Sequence, residues 1–316
     1  MRNVWQISGG PSNRSYVETL LRHGVGLIGP GDAGVWRPDR DDNDFEGSMV
    51  RRFASEVASG DIFLMRSGTS RIHAVGLVAS DYLYLNAFDD VNGWDLQHTR
   101  RVRWFRLPQE FDFGSPVFGV NTRRFGMVSH EQVTDYAHRF INSPPTDWQQ
   151  NALPPLAAEE EPLAEVPGFL QEIVAVAQDL GGHLYWDRTA FGERPAEEEI
   201  VAHLVVPFFR SLGWPQEQIA IQWRYIDVAL FSKLPRTSEN CQFVVEAKHL
   251  GAGVEGAVEQ AMGYVEALGV RRDIVVTDGV RYRLYAAESD FAPVAYANLA
   301  RLKKSAAELF LRMKRR

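Results

Sequence analysis

Cysteine is almost missing from this chain: Cys241 is the single one in 316 residues. An internal disulfide is therefore excluded, and a cysteine-based zinc cluster has no ligands. No apolar run approaches the length of a membrane span, and the opening stretch MRNVWQISGG lacks the apolar core of a signal peptide. These absences point to a cytoplasmic protein. A surplus of positive charge is missing too. Against 34 Lys and Arg stand 41 Asp and Glu, a formal net charge of −7. Taken whole, that balance argues against a nucleic-acid partner, which usually meets a basic surface.

The distribution removes the objection. Residues 1–142 contain no lysine and carry 16 Arg against 17 acids. Residues 168–316 carry 18 basic against 19 acidic side chains. Between them, 143–167 has no basic residue and five acids: Asp147, Glu159, Glu160, Glu161 and Glu165. Most of the negative charge thus sits in SPPTDWQQNALPPLAAEEEPLAEVP, a stretch with two Pro-Pro pairs and little periodicity. Such a composition buries too little apolar surface to order itself, and proline stiffens it. It reads as an acidic, Pro-rich linker between domains at 1–142 and 168–316. A length beyond one ordinary domain fits that division. With hydrophobic residues at 45%, aromatics at 11% and charged residues at 24%, both domains have globular composition.

The first domain reads as mainly β with a few helices. Strand patterns cover Val4–Ser8, Gly24–Ile28, Asp61–Arg66, Ile72–Ser80 and Thr99–Leu107, separated by turn residues. Ser15–His23 reads as a short helix ending at Gly24. Phe45–Ala58 reads as another, with Met49, Phe53 and Val57 at spacing four. A small curved sheet or barrel with helices, an α+β arrangement, accommodates these.

The second domain reads as α/β. Helices are expected at Gly168–Leu180, Ala196–Leu212, Val254–Leu268 and Ala295–Met313. Strands are expected at Ile219–Ile221, Tyr225–Phe231, Gln242–Glu246, Asp273–Thr277 and Tyr282–Ala286.

Its chemistry-bearing residues fall into one constellation. A helix opens on Glu197-Glu198-Glu199, one strand carries Asp227 in RYIDVALF, and the next ends in FVVEAKHL. Period two puts Glu246 and Lys248 on one strand face, with Ala247 pointing away. Adjacent strands then bring Asp227 and Glu246 side by side. Two carboxylates in a cleft repel one another and call for a hard divalent cation, Mg²⁺ or Mn²⁺. Lys248 beside such a cation is expected to orient or deprotonate a water, with its pKa lowered by the ion. His249 is expected on the opposite face, structural or solvent-facing.

The pattern of Asp227 followed by Glu246-Ala247-Lys248 resembles the PD-(D/E)xK nuclease superfamily. The stretch after Glu197, IVAHLVVPFFRSLGW, is similar to that family's first helix, with Leu204 seven positions on. Gln260 and Tyr264 match its Q-x-x-x-Y helix, and DIVVTDGVRYRLY is similar to the strand pair that follows. Over about residues 195–286 the chain looks most like the nuclease domain at the N-terminus of the type I restriction subunit HsdR. The resemblance implies a restriction-endonuclease-like fold, catalytic Asp227, Glu246, Lys248 and Glu197, and substrate contacts from Gln260 and Tyr264. It leaves open which of Glu197, Glu198 and Glu199 faces the metal.

In the first domain, Trp36 follows Gly29, Gly31 and Gly34, and Trp94 follows an Asn-Gly pair. Large aromatics in loops are poorly explained by packing, and two of them can form a slot for a flat, extruded base. Trp5 and Trp104 lie within strand patterns and read as core, and Tyr82 and Tyr84 as sheet residues. Arg51, Arg52, Arg100, Arg101, Arg103, Arg106, Arg123 and Arg124 offer planar forks for phosphates, or else a solvated face. The ordered series VWQISGG, HGVGLIGPGDAGVW, GDIFLMRSGTSRIHAVGLVAS and DDVNGWDLQHTRRVRWFRLP resembles the PUA-like superfamily, within it the EVE and YTH domains. That resemblance implies a reader of modified bases, with Trp36 as one wall of a cage.

Together the two resemblances imply a modification-dependent (type IV-like) restriction endonuclease. It would flip a modified base, a modified cytosine first, and cut nearby double-stranded DNA as a homodimer, at least on DNA. A non-catalytic reader of DNA or RNA, an RNA-directed enzyme and a repair nuclease are the competing readings.

Overall fold

The computed structural model describes residues 2–11, 15–29, 31, 34–38, 49–91, 94–118, 124–144, 153–156, 162–175, 196–249 and 257–315. The chain divides into two compact units, Met1–Glu160 and Glu161–Arg316. The division falls inside the acidic stretch, whose described ends are each tied to their own unit. The Pro154 carbonyl accepts from the Arg101 guanidinium. Ala164 donates its N–H to the Leu302 carbonyl at 2.9 Å.

Unit 1 is built on a seven-stranded sheet. Its strands are β1 (Val4–Ser8), β2 (Val25–Ile28), β3 (Ile62–Ser67), β4 (Arg71–Val78), β5 (Leu83–Tyr84), β6 (His98–Asp112) and β7 (Phe125–Met127). They run in the order β2-β6-β4-β3-β1-β7, with β5 also on β6, and the sheet curls into a half-barrel. Among the described residues of this unit, only β1 and β3 pair in parallel; β6 bridges β2 and β5 at its start and β4 along most of its length.

Both faces of β3 are covered, so its IFLM reads as a continuous apolar run rather than an alternation. Phe63 and Met65 face an inner core with Trp5, Ile7, Leu20, Phe53 and Phe125. Their neighbours Ile62 and Leu64 face a second core with Val4, Ile72, Phe113, Val133 and Ala137. The last two come from helix Glu131–Asn142, which, like β7, is absent from the elements expected of the sequence. Trp5 is fully buried, stacks on Phe125, and gives its indole N–H to Asp61 at 2.9 Å. Burying each such large side chain contributes about 1.5–3 kcal/mol.

Helix α1 (Val17–His23) ends at Gly24 as expected, with φ +57 in the left-handed region that glycine adopts without strain. Of the expected helix 45–58, positions 45–48 lie outside the described residues. The remainder is helical to Glu56, and Met49, Phe53 and Val57 are all buried.

Unit 2 holds a six-stranded sheet in the order β13-β12-β11-β10-β9-β8. The strands are β8 (Ile219–Trp223), β9 (Ile226–Phe231), β10 (Cys241–Ala247), β11 (Asp273–Thr277), β12 (Arg281–Ala286) and β13 (Ala292–Asn298). Neighbours are antiparallel except β10 and β11. A parallel pair needs a crossover, and helix Val258–Leu268 lies between them in sequence. That helix covers one face, with Ala229, Val244 and Ile274. The other face, with Val228, Phe243, Val245 and Ala247, packs against Glu197–Ile200, its continuation through Val201–Val205 and Val206–Ser211, and Ala306–Met313.

The expectation of one helix over Ala295–Met313 is corrected. Residues 292–298 are the edge strand β13, paired with β12 from Arg281↔Asn298 to Ala286↔Ala292, and the helix spans only Ala306–Met313. The alanine-rich composition favours a helix locally. Pairing at the sheet edge, where Pro293 is tolerated, outweighs that preference. The expected helix Gly168–Leu180 is helical through residue 175, and 176–180 lie outside the described residues. Among the described residues, no helix is long and apolar enough to cross a membrane.

Candidate active site

Three elements of unit 2 converge at one end of its sheet. The β9–β10 register pairs Val228 with Val245. Stepping one residue along each strand sets Asp227 opposite Glu246, where antiparallel neighbours stand roughly 5 Å apart. Asp227 is fixed at both oxygens: Oδ1 accepts from Gln222 Nε2 at 3.1 Å and Oδ2 from the Ala247 N–H at 2.9 Å.

Glu246 is only 1% exposed. Its Oε1 accepts from Lys248 Nζ at 2.6 Å, while Oε2 is buried with no hydrogen-bond partner among the described residues. Burial pushes the Glu246 carboxyl up to about 7; Asp227 and Glu197 push the same way, and the Lys248 ammonium opposes them. Lys248 itself is raised. Burial pulls it down, but its hydrogen bond to Glu246 and the charges of Glu246, Glu197 and Asp227 outweigh that. With carboxylates alone as its charged neighbours, the ammonium form of Lys248 is favoured; the lowering expected of it belongs to the cation-bound site.

Glu197 completes the cluster, with Oε1 at 4.0 Å from Lys248 Nζ and 3.7 Å from His249 Nε2. The three consecutive glutamates are thereby distinguished by geometry. Glu199 reaches back to the Ala196 N–H at 3.3 Å, capping its own helix, and Glu198 is exposed. His249, expected away from the cluster, sits at its edge. The turn at Gly279, φ +86, buttresses the helix from below. A Cβ there would lie within 3 Å of Ile200 and Leu204 side chains, so only glycine lets the β11–β12 turn pack this closely. Gln260 and Tyr264 share a face of Val258–Leu268, with Gln260 Nε2 donating to the Tyr264 hydroxyl at 2.8 Å.

Sequence reasoning misses Gln222. Its backbone takes φ +52, which a non-glycine residue adopts only at a cost of about 1–2 kcal/mol. That conformation goes with its reach to Asp227, and nothing in the residue type signals it.

Trp36 and Trp94 belong to unit 1, and both rings are partly buried against its inner core. Trp94 meets the edge of Tyr16, with centroids 6.3 Å apart, and Arg124 lies over it at 5.1 Å. The Trp36 backbone N–H donates to the Tyr82 hydroxyl at 3.1 Å, and that hydroxyl shares a 2.7 Å hydrogen bond with His98 Nδ1. Tyr84 gives its hydroxyl to the Gly31 carbonyl at 2.7 Å. Tyr16 and Arg124 therefore flank the Trp94 ring, and Tyr82, backed by His98, holds the Trp36 backbone, placements that no pattern in the sequence announces. The Asn92-Gly93 pair lies outside the described residues.

The arginine cluster is corrected in part. Arg100 is buried and spends its guanidinium on the Phe53, Ala54 and Ser80 carbonyls. Arg101 bonds the Gly24 and Pro154 carbonyls, Arg106 pairs with Glu18, and Arg51 with Glu56. A guanidinium already holding carbonyls is a structural brace, not a phosphate contact. Arg103 remains exposed, and Arg123 lies outside the described residues.

Fold and site define a two-unit α+β protein with a buried carboxylate–lysine cluster at one sheet end. Residues 33–123, within unit 1, match the family described as Domain of unknown function (DUF8426). No curated protein matches the chain. Among solved structures, a fragment of a putative HsdR subunit of a type I restriction enzyme from Vibrio vulnificus YJ016 is weakly similar. It shares 20% identity over 38% of this chain and 25% of that chain, with a TM-score of 0.27. The match thus spans a quarter of that fragment's chain, and a likeness this distant carries no argument about activity.

Proposed function

We propose that this protein is a modification-dependent DNA endonuclease, in which unit 2 cuts the phosphodiester backbone and unit 1 reads a modified base. The observation that carries the nuclease reading is the Glu246–Lys248 pair beside Asp227 and Glu197. A buried carboxylate with one unpartnered oxygen, next to two further carboxylates, is costly to keep unless a cation joins it. All the donors are hard oxygens, which suits Mg²⁺ or Mn²⁺. Among the described residues, no group of three His, Cys, Asp or Glu side chains is already gathered tightly enough to hold an ion.

In this reading Asp227, Glu246 and Glu197 hold the cation. When bound, it supplies positive charge to a substrate phosphate and acidity to a coordinated water. The protein's own groups do the rest. Gln222 and the Ala247 N–H keep Asp227 from turning away. Lys248, 2.6 Å from Glu246, orients or deprotonates the attacking water, and as an ammonium it offers N–H donors to the phosphate oxygens as charge builds there.

For unit 1, Trp36 and Trp94 provide flat apolar walls for a flipped base, with a modified cytosine the first candidate. The surrounding Tyr16, Tyr82 and His98 give their setting both apolar area and polar edges. One active site cuts one strand, so double-strand cleavage calls for two copies meeting on DNA. The reader claim is tested with Mg²⁺ and plasmids in unmodified, N6-methyladenine, 5-methylcytosine and 5-hydroxymethylcytosine forms. Preferential cutting of one modified form is expected, and equal cutting of all four removes the reader.

A further inference from the structure

We propose that Tyr225, at the tip of the β8–β9 hairpin, is a substrate contact that stacks on DNA next to the Asp227–Glu246 cluster. The inference rests on reading unit 2 as a nuclease and adds a residue to it. Tyr225 is 85% exposed, an extreme for a large aromatic side chain among the described residues. It occupies the second position of a two-residue turn closed by the Trp223–Ile226 pair. Both turn residues have positive φ, Arg224 at +53 and Tyr225 at +69.

Such turns ordinarily use Asn and Gly, because other side chains are strained there. Here an arginine and a tyrosine are held in that conformation. Arg224 is clamped: its guanidinium lies 4.7 Å from the Trp223 ring centre and Nη1 donates to Ser238 Oγ at 2.9 Å. Trp223 is in turn edge-on to Phe231, with centroids 5.0 Å apart. The clamp accounts for the arginine. No hydrogen bond or ring contact within the described residues accounts for the tyrosine, which is aimed at solvent by a backbone that resists it.

Strain of this kind persists where function requires the side chain. The location says which function. Tyr225 stands two residues before Asp227 in the same hairpin, and Gln222, just before the turn, holds the Asp227 carboxylate. An aromatic ring beside a phosphodiester-cutting site has one flat partner in DNA, the face of a base that is unpaired or splayed from the stack. Base–aromatic stacking tolerates any sequence, which fits an element that engages DNA while specificity is read elsewhere.

The test uses the full chain and a fluorescently labelled unmodified duplex with a single-stranded overhang, without divalent cation, so that unpaired base faces are present and neither the base pocket nor cleavage enters. Tyr225→Ala and Tyr225→Gly are expected to weaken binding about ten-fold, and Tyr225→Trp to bind within about two-fold of the parent. The slope of affinity against salt stays unchanged, because no charge is lost. Tyr225→Gly guards against a folding artefact: glycine relieves the positive φ, so its Tm should rise while its affinity falls. Parent-like binding by both Ala and Gly variants overturns the proposal, as does an equal loss in Tyr225→Trp or a parent chain that does not bind DNA. If the parent binds in a Tyr225-dependent way yet cuts no DNA with Mg²⁺, the nuclease reading falls and the contact stands.

Discussion

Lys248 Nζ stands 2.6 Å from Glu246 Oε1, and the carboxylate it holds is almost wholly shielded from water. The second oxygen of that carboxylate has no partner among the described residues. Glu246 is therefore balanced by one ammonium while Asp227 and Glu197 press on it with like charge. The consequences can be measured without any assumption about substrate.

The first concerns pH. Glu246 has a folded-state pKa of about 7 against 4.5 for a free side chain. The folded chain thus holds a proton that the unfolded chain releases between those values. Stability falls as pH rises from 4.5 to about 7, and the full cost persists above 7. Glu246→Gln removes this cost. Its stability should exceed that of the parent at pH 8 by on the order of 3 kcal/mol, read as a higher Tm, and converge on it below pH 4.5. Equal Tm values across the range contradict the assignment.

The second concerns the pair itself. Lys248→Met leaves a buried carboxylate without its cation, which costs about 3 kcal/mol at pH 8. Glu246→Gln in the same chain should recover most of that loss, since no buried charge remains. A double-mutant cycle by thermal unfolding reads the coupling, and additive effects would mean that the two side chains do not share one site.

Cation binding provides the third. A ligand that binds only the folded state raises stability with its concentration. Millimolar Mg²⁺ or Mn²⁺ should raise the Tm of the parent at pH 8, and raise that of Asp227→Asn or Glu246→Gln little or not at all. Identical shifts in all three chains would place the ion elsewhere.

The fourth concerns unit 1. Trp36→Ala and Trp94→Ala should abolish discrimination between modified and unmodified DNA while leaving the Mg²⁺-induced Tm shift of unit 2 in place. Because Trp94 also packs against Tyr16 and Arg124, Trp94→Phe serves as the milder variant. It should keep stability and lose part of the discrimination. Unchanged discrimination in both alanine variants would make the tryptophans packing residues only.

Much of the fold and site is legible in the sequence where local pattern and tertiary demand agree. The run DIVVT is buried on both faces and becomes β11 at its expected bounds. Period two carries Glu246 and Lys248 to one side, and their 2.6 Å contact follows from it. Spacing four likewise brings Gln260 and Tyr264 into hydrogen-bond contact. Legibility fails where distant contacts decide. The stretch before Asn298 is helix-forming by composition and becomes a strand because β12 offers it an edge. Arg100 looks like a surface cation, yet carbonyls of Phe53 and Ala54, 46–47 positions away, draw it inward. Gln222 joins the site through a left-handed backbone that no residue pattern announces.

The central claim is that Asp227, Glu246 and Lys248 form a metal-dependent nuclease site. It is tested most directly by the rate at which supercoiled, base-modified plasmid is nicked with and without Mg²⁺, by the parent chain and by Lys248→Ala. Nicking by the parent that requires Mg²⁺ and falls at least about a hundred-fold in Lys248→Ala is the predicted result. Absence of nicking by the parent, or nicking that Lys248→Ala leaves unchanged, contradicts it.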